Sequence, residues 1–307
     1  MTAGLASHAE CGAMSTALQL TSSPARVTAR DAWTAFWQEP GQSRCVSGAN
    51  GIWQVLDEFW SSFGRSLSAN ARVLDLGCGA GAVARRVASS RPDVFVTGID
   101  FARIPLTLLP QVELLSETAM ESLPFEDRSF GAAVSQFGFE YADLDEATLE
   151  LARVLAPGAQ LQMLVHHAES SIVTSNRDRL AALQSFLSPA VRNAFCEGDA
   201  PALQVQLSAL VHRHPSDALV AELRRSLPSR VGRPPRERNA IWTAIEDALA
   251  PERCLAESLD ASCVAPAGLD RWLMPLRGAF GLAEPAILRE PDGSIIGWHI
   301  GGCRNPA

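Results

Sequence analysis

A glycine-rich bend at residues 73–81, with the sequence VLDLGCGAG, is where residue types and spacing point most directly to chemistry. Gly77, Gly79 and Gly81 allow the chain to turn tightly and allow a ligand to approach the main chain without interference from Cβ atoms. Amides at the start of a following helix would face that ligand. The bend is therefore predicted to bind a ligand.

Two acidic residues distinguish this bend from a dinucleotide site. The dinucleotide pattern is GxGxxG, whereas here the glycines run GxGxG. Asp75 stands two positions before the first glycine, where a carboxylate repels a pyrophosphate but suits an ammonium or sulfonium group. Asp100 follows Gly81 by nineteen residues and can accept hydrogen bonds from ribose hydroxyls. The pair favours an adenosyl ligand with a positive end over NAD.

Alternating strand and helix patterns predict the elements that position this bend. Apolar runs at 72–76, 94–100, 112–115, 130–135 and 161–165 predict five strands, and helical spacing at 82–88 and 143–155 predicts helices between them. Strands separated by helices require parallel crossovers. The turn at 291–293, between apolar runs, predicts a C-terminal hairpin. The expected fold class is α/β, a doubly wound and mostly parallel seven-stranded sheet with an antiparallel C-terminal hairpin and a helical insertion after strand five.

Composition changes along the chain predict four segments. Residues 1–30 are expected to form a flexible tail, and 31–169 the N-terminal cover helices and the ligand-binding core. Residues 170–280 would form the helical insertion, acting as a lid over an acceptor, and 281–307 the hairpin that completes the sheet. Trp33, Phe36 and Trp37 have the spacing of one helix face. We expect this aromatic segment and the insertion to roof the acceptor pocket together.

Residues from about 70 to 167 resemble the class I, Rossmann-like S-adenosylmethionine-dependent methyltransferase family, especially its UbiE-like small-molecule branch. LDLGCGAG at 74–81 looks like the first motif of that family, and GID at 98–100 like the second. ESLPFEDRSF at 121–130 is similar to the loop before strand four, and RVLAPG at 153–158 to the segment leading into strand five. Four motifs in this order and spacing make the resemblance specific.

The resemblance implies S-adenosyl-L-methionine as the cofactor and assigns roles by position. Asp75, Gly77 and Gly79 would line the methionine end, with Cys78 and Gly81 counted in the same cofactor-binding bend. Asp100 would hold the ribose and Phe101 would cover the adenine. The remaining implied cofactor residues are Met120 and Glu121 beside the adenine, and Gln136 and Phe137 beside the sulfonium. The sequence departs from the family at Ala119, where an aspartate often contacts the adenine amine, so backbone amides near Met120 are the alternative.

Candidate residues for the methyl acceptor follow strands four and five. His166 and His167 end strand five, at the sheet edge where ligands bind, and histidine is the usual base near neutral pH. Tyr141, the single tyrosine, follows strand four. The alternative for each is a packing or solvated role, and neighbouring Glu140 is expected to be solvated. Arg44 could pair with the methionine carboxylate or be a plain surface arginine.

The charge pattern narrows the function classes further. The net charge is −8 and every one of the 26 basic residues is arginine, so lysine chemistry is excluded and nucleic-acid binding is disfavoured. Between Arg224 and Arg238 lie six arginines; such a run usually forms a solvated face, and an anionic acceptor or RNA is the alternative. The absence of lysine is typical of a GC-rich bacterial codon bias.

Cysteine spacing and hydropathy bear on compartment. None of the seven cysteines forms a CxxC pair, so no metal site is expected, and their scatter favours a reducing cytoplasm. No signal peptide or membrane-spanning apolar run is recognised. The resulting hypothesis is a cytoplasmic methyltransferase that moves a methyl group to an O or N atom of a small, partly apolar metabolite by in-line displacement. The alternatives are methylation of RNA or protein, and a non-catalytic adenosyl-binding module that dimerises through the insertion; a homodimer is left open.

Overall fold

The structure is a computed structural model that describes residues 27–39, 50–105 and 110–306. Five parallel strands form the centre of its sheet: β1 (Arg72–Leu76), β2 (Phe95–Ile99), β3 (Val112–Leu115), β4 (Phe130–Gln136) and β5 (Leu155–Val165). Three antiparallel strands complete it: β6 (Phe280–Leu282), β7 (Ala286–Arg289) and β8 (Ile295–Arg304). The order is β3-β2-β1-β4-β5-β8-β6, with β7 also paired to β8. The predicted α/β class, with a mostly parallel sheet and antiparallel C-terminal strands, is confirmed.

The described part of the sheet has eight strands rather than the predicted seven because its antiparallel edge is interrupted. β6 and β7 lie in line along the same edge of β8. Leu282 pairs with Gly302 and Ala286 pairs with His299. The chain therefore advances four residues from β6 to β7 while β8 advances three. Such a mismatch is a one-residue bulge. Pro285 lies in the gap and, lacking an N–H, cannot donate to the ladder.

Helices cover both faces of the sheet. The helices around the core are α1 (Ala29–Gln38), α2 (Asn50–Ser66), α3 (Ala82–Ser90), α4 (Leu144–Val154) and α10 (Leu269–Ala279). On one face, Leu151 of α4 and Leu273 of α10 are buried against the strands. On the other face, Trp60 of α2 and Val87 of α3 are buried. Because the parallel strands are buried on both faces, their sequences are continuous apolar runs.

The helical insertion after β5 has its own apolar core. It comprises α5 (Ser171–Phe186), α6 (Pro189–Glu197), α7 (Ala200–Arg213), α8 (Ala218–Ser226) and α9 (Pro235–Ser262). Trp242 of α9 is fully buried, with its ring centroid 5.4 Å from that of Phe186 and 6.0 Å from that of Phe195. No helix in the described ranges is both long enough and apolar enough to cross a membrane.

The segment after α9 joins the insertion to the end of β5. The Val264 amide donates to the His166 carbonyl at 2.8 Å, and the Ala168 amide donates to the Val264 carbonyl at 3.1 Å. That same carbonyl accepts from the Trp298 indole at 2.9 Å. These bonds hold the last turns of α9 beside the carboxyl end of the parallel sheet.

Candidate cofactor and acceptor site

A cavity of about 410 Å³ lies at the carboxyl ends of the parallel strands, the edge at which ligands bind in open α/β sheets. Segments far apart in sequence meet there: the bend after β1, the end of β2, the loop before β4 and the end of β4. Ten of the predicted site residues line this cavity: Asp75, Gly77, Cys78, Asp100, Phe101, Met120, Glu121, Gln136, Phe137 and Tyr141.

The glycine bend takes a backbone path that few other residues tolerate. Gly77 has φ 68° and Gly79 has φ 50°, in the left-handed region that favours glycine. A Cβ at Gly77 would lie 3.0 Å from the Gly138 Cα, so the chain after β4 passes close over the bend. A Cβ at Gly79 would collide with the Trp37 indole. Gly79 is therefore covered by α1 and is not in the described cavity wall; neither is Gly81, which caps α3.

Asp75 has the electrostatic environment that a cationic ligand group would complete. Asp75 is only 1% exposed. The Oδ2 atom accepts a hydrogen bond from the Ala84 amide at 3.1 Å, whereas the buried Oδ1 atom has no partner. Burial raises the pKa of this carboxyl to about 8. An ammonium group entering the cavity would supply the missing partner and favour the ionised form, so the site fits the predicted cofactor.

The Asp100 carboxylate is fixed by a hydrogen bond from the glycine-rich bend. Its Oδ2 atom accepts from the Gly79 amide and its Oδ1 atom from the Ala102 amide, both at 2.8 Å. Burial raises the pKa of this carboxyl, although the two amide bonds act in the opposite direction. Each carboxylate oxygen can still accept a second hydrogen bond. Asp100 can therefore bind ribose hydroxyls while it remains bonded to the loop.

Phe101 lies beside Asp100 with half of its surface exposed. The Arg30 guanidinium lies over its ring, 5.4 Å from the centroid, and bonds to Glu117 at 2.6 Å. An exposed aromatic ring on a cavity wall suits stacking against a planar base. This placement fits the role implied for Phe101 over the adenine.

The roof of the cavity comes from α1 and from the end of α9. Trp33 and Trp37 of α1 line it, and their rings stack with centroids 6.2 Å apart. Trp33 meets Tyr141 edge to face at 5.7 Å. Ser258, Ala261 and Ser262 of α9 also line the cavity. The aromatic spacing of α1 gave a signal for its part of the roof, but no local pattern marked the α9 residues.

The predicted catalytic residues occupy different positions. Tyr141 ends a short 3₁₀ turn at Phe139–Tyr141 and lines the cavity. His166 is not in the described wall; its ring stacks on Phe137 with centroids 4.2 Å apart. Its Nδ1 atom lies 2.7 Å from the Glu140 carboxylate, which also accepts from the His166 amide. The expectation that Glu140 is solvated is wrong, because its side chain has 0% exposure and serves both of these bonds.

His167 does not line the described cavity. Its ring stacks on Trp298 with centroids 4.5 Å apart, and its Nδ1 atom accepts from the Glu169 amide at 3.0 Å. Burial lowers the pKa of the imidazole. This geometry gives no support to a contact between His167 and an acceptor. Arg44, the remaining predicted residue, lies outside the described residues.

The fold and the cavity are those that the resemblance to class I methyltransferases predicts. Residues 74–163 match the family described as "Methyltransferase domain". That stretch contains the bend, the end of β2, the loop before β4 and most of β5. Over this stretch the chain is similar to methyltransferase domains, as the sequence motifs predicted.

Named relatives support the same family. The chain is 38% identical over 102 residues to the demethylmenaquinone methyltransferase of Thermus thermophilus, covering 30% of this chain and 46% of that protein. It is 32% identical over 123 residues to the ubiquinone/menaquinone biosynthesis C-methyltransferase UbiE of Geotalea daltonii, covering 36% and 52%. It is 31% identical over 139 residues to the O-methyltransferase rstn1 of Aspergillus nomiae, covering 41% and 58%. The chain thus spans about half the length of the curated relatives it matches.

Proposed function

We propose that this protein is an S-adenosylmethionine-dependent methyltransferase that moves a methyl group to an atom of a small, partly apolar metabolite. One observation carries the proposal: the bend after β1, the end of β2, the loop before β4 and the end of β4 converge on one cavity, and Asp75 in its wall has a buried carboxylate oxygen without a partner. Bound S-adenosylmethionine supplies a methyl group activated by positive sulfur. Asp75 would face its cationic end, Asp100 its ribose and Phe101 its adenine.

The task left to the protein is alignment and exclusion of water. The transfer would form a bond between an electron pair of the acceptor and the methyl carbon as the carbon–sulfur bond breaks, and sulfur would keep the electrons of the broken bond. An acceptor that carries a proton must also lose it. Tyr141 is the predicted acid–base residue that lines the cavity, and His166 lies behind Phe137 with its ring oriented by Glu140.

The acceptor atom is proposed to be oxygen or nitrogen, and the names of the relatives make carbon a further candidate. Their names include a C-methyltransferase and an O-methyltransferase, both of which fit in-line displacement. A cavity of about 410 Å³ lies near the lower end of the range for small-molecule sites, which supports a small acceptor.

The position of the arginine run does not support methylation of a macromolecule. Arg236 stands at the start of α9 and Ser258 near its end, and 22 residues of helix span about 33 Å at a rise of 1.5 Å per residue. Arg238 is buried and donates to the Cys196 carbonyl at 3.0 Å. The run therefore lies away from the cavity and includes one structural arginine.

We also propose a cytoplasmic location. The five cysteines in the described ranges are free thiols, as expected in a reducing compartment. A homodimer stays a prediction.

The direct test is isothermal titration of the protein with S-adenosylmethionine and S-adenosylhomocysteine. Wild type is expected to bind both, and Asp100→Asn to bind them at least tenfold more weakly, because it loses the charge that the ribose hydroxyls face. Glu113→Ala, which removes an exposed carboxylate on β3, is the matched control and is expected to bind like wild type. Absence of heat with wild type, together with no ligand-induced rise in Tm, would refute the proposal.

A further inference from the structure

The wall of the cavity contains a face that comes from outside the matched methyltransferase region. Ser258, Ala261 and Ser262 lie at spacing i, i+3 and i+4 on α9 and all line the cavity. Residues with this spacing share one helix face. Trp33 and Tyr141 present aromatic surface to the same cavity. This part of the cavity is therefore lined by both hydroxyl groups and aromatic rings.

The two serine hydroxyls are available to a ligand. A serine inside a helix commonly bonds back to the carbonyl one turn earlier, as Thr174 does with Ser170 in α5 at 3.0 Å. Within the part of the chain that the structure describes, the side-chain hydroxyls of Ser258 and Ser262 make no such bond. Ala261, between them on the same face, leaves space that a larger side chain would fill.

This face is held in a fixed position relative to the sheet. Val264, two residues after Ser262, bonds to the main chain of His166 and Ala168. α9 also packs along α5, where Arg177 bonds to Asp260 at 2.6 Å and to the Ala168 carbonyl at 2.7 Å. Groups fixed in this way can discriminate between ligands, because a mismatched ligand cannot be accommodated by movement of the wall.

The charges in the wall select against anions. Asp75, Asp100 and Glu121 supply carboxyl groups, and none of the described lining residues is arginine or histidine. A negatively charged acceptor would lose hydration without gaining a cationic partner from this wall. A neutral molecule would not lose the hydration free energy of a charge on entering the cavity.

We propose that Ser258 and Ser262, with the space left by Ala261, form the acceptor-selecting wall of the site and favour an uncharged aromatic acceptor bearing a hydroxyl or carbonyl group. The aromatic part lies against Trp33 and Tyr141, and the serine hydroxyls bond the polar group. This inference rests on the proposed function, since it assumes that the remainder of the cavity holds the cofactor.

The test uses 2-naphthol and 2-naphthoate as probes, titrated into the full-length protein saturated with S-adenosylhomocysteine. 2-Naphthol is expected to bind, and 2-naphthoate to bind at least tenfold more weakly. The double variant Ser258→Ala, Ser262→Ala is expected to weaken 2-naphthol binding roughly fivefold to tenfold, from the loss of one or two hydrogen bonds. Ala261→Trp is expected to abolish it by filling the space.

Ala248→Trp is the matched control, because it adds the same side chain at an exposed position of the same helix. All variants are expected to keep the wild-type Kd for S-adenosylhomocysteine, which shows that they are folded. The inference is overturned if wild type does not bind 2-naphthol, if 2-naphthoate binds equally well, or if the double serine variant and Ala261→Trp both bind 2-naphthol like wild type. Failure of wild type to bind S-adenosylhomocysteine would instead overturn the proposed function itself.

Discussion

Asp75 is expected to link cofactor binding to pH. In the free protein, burial raises the pKa of its carboxyl to about 8, and one of its oxygens is buried without a partner. A cationic ligand group favours the ionised carboxylate, so a proton must leave as the cofactor binds. The association constant is therefore expected to rise with pH until about pH 8 and to level off above it, because the carboxyl is then already ionised.

The size of the effect follows from the pKa of about 8. One pH unit below the pKa about one molecule in ten is ionised, and two units below about one in a hundred. The association constant is thus expected to be about tenfold below its plateau at pH 7, and about a hundredfold below it at pH 6. Each unit corresponds to about 1.4 kcal/mol.

Isothermal titration with S-adenosylmethionine, in buffers of different ionisation enthalpy, measures both the affinity and the protons released. Asp75→Asn is the appropriate comparison, because the amide oxygen can still accept from the Ala84 amide. Titration of the ligand's own ammonium is common to both proteins, so the difference between them isolates Asp75. At pH 7, wild type is expected to release roughly one proton more than the variant. Equal proton release and parallel pH profiles would refute the reasoning.

Two further predictions concern the stability of the bend and of the insertion. Gly79→Ala is expected to lower the free energy of unfolding by about 2–4 kcal/mol, because the new Cβ would collide with the Trp37 indole and because φ is 50° at this position. Denaturant unfolding measures the change, and Gly278→Ala, whose Cβ would have no atom within 4 Å, is the control. Equal effects of the two substitutions would contradict the prediction. Arg179→Ala is expected to cost about 2 kcal/mol, because Asp217 loses a partner at 2.7 Å. Faster hydrogen exchange in α8 would support this, whereas exchange no faster than in Arg192→Ala, which breaks a more exposed 3.9 Å pair, would argue against it.

The sheet and the bend were predictable because each depends on local sequence. Parallel strands buried on both faces must be apolar throughout, so the runs at 72–76 and 112–115 coincide with β1 and β3. The left-handed conformations at Gly77 and Gly79 require glycine, which makes the bend visible in the sequence. Asp75 and Asp100 stand at strand ends, and the carboxyl ends of parallel strands meet at one edge.

The acceptor side was less predictable because long-range packing determines it. Ser258 and Ser262 reach the cavity only because Val264 pairs with β5, and nothing near them in the sequence indicates that pairing. Glu140 is a charged residue after a strand, a pattern typical of solvent exposure. Its burial depends on a histidine 26 residues later in the chain.

The separate core of the insertion has a consequence for how this protein can diversify. Its apolar centre around Trp242 shares no buried residue with the clusters that cover the sheet. Substitutions within it are therefore expected to alter the shape and stability of the insertion without disturbing the packing that holds Asp75 and Asp100. On the proposed function, exchange of the insertion between homologous chains, with the turn at Val264 retained, is expected to change the acceptor preference while the residues proposed to bind the cofactor stay the same.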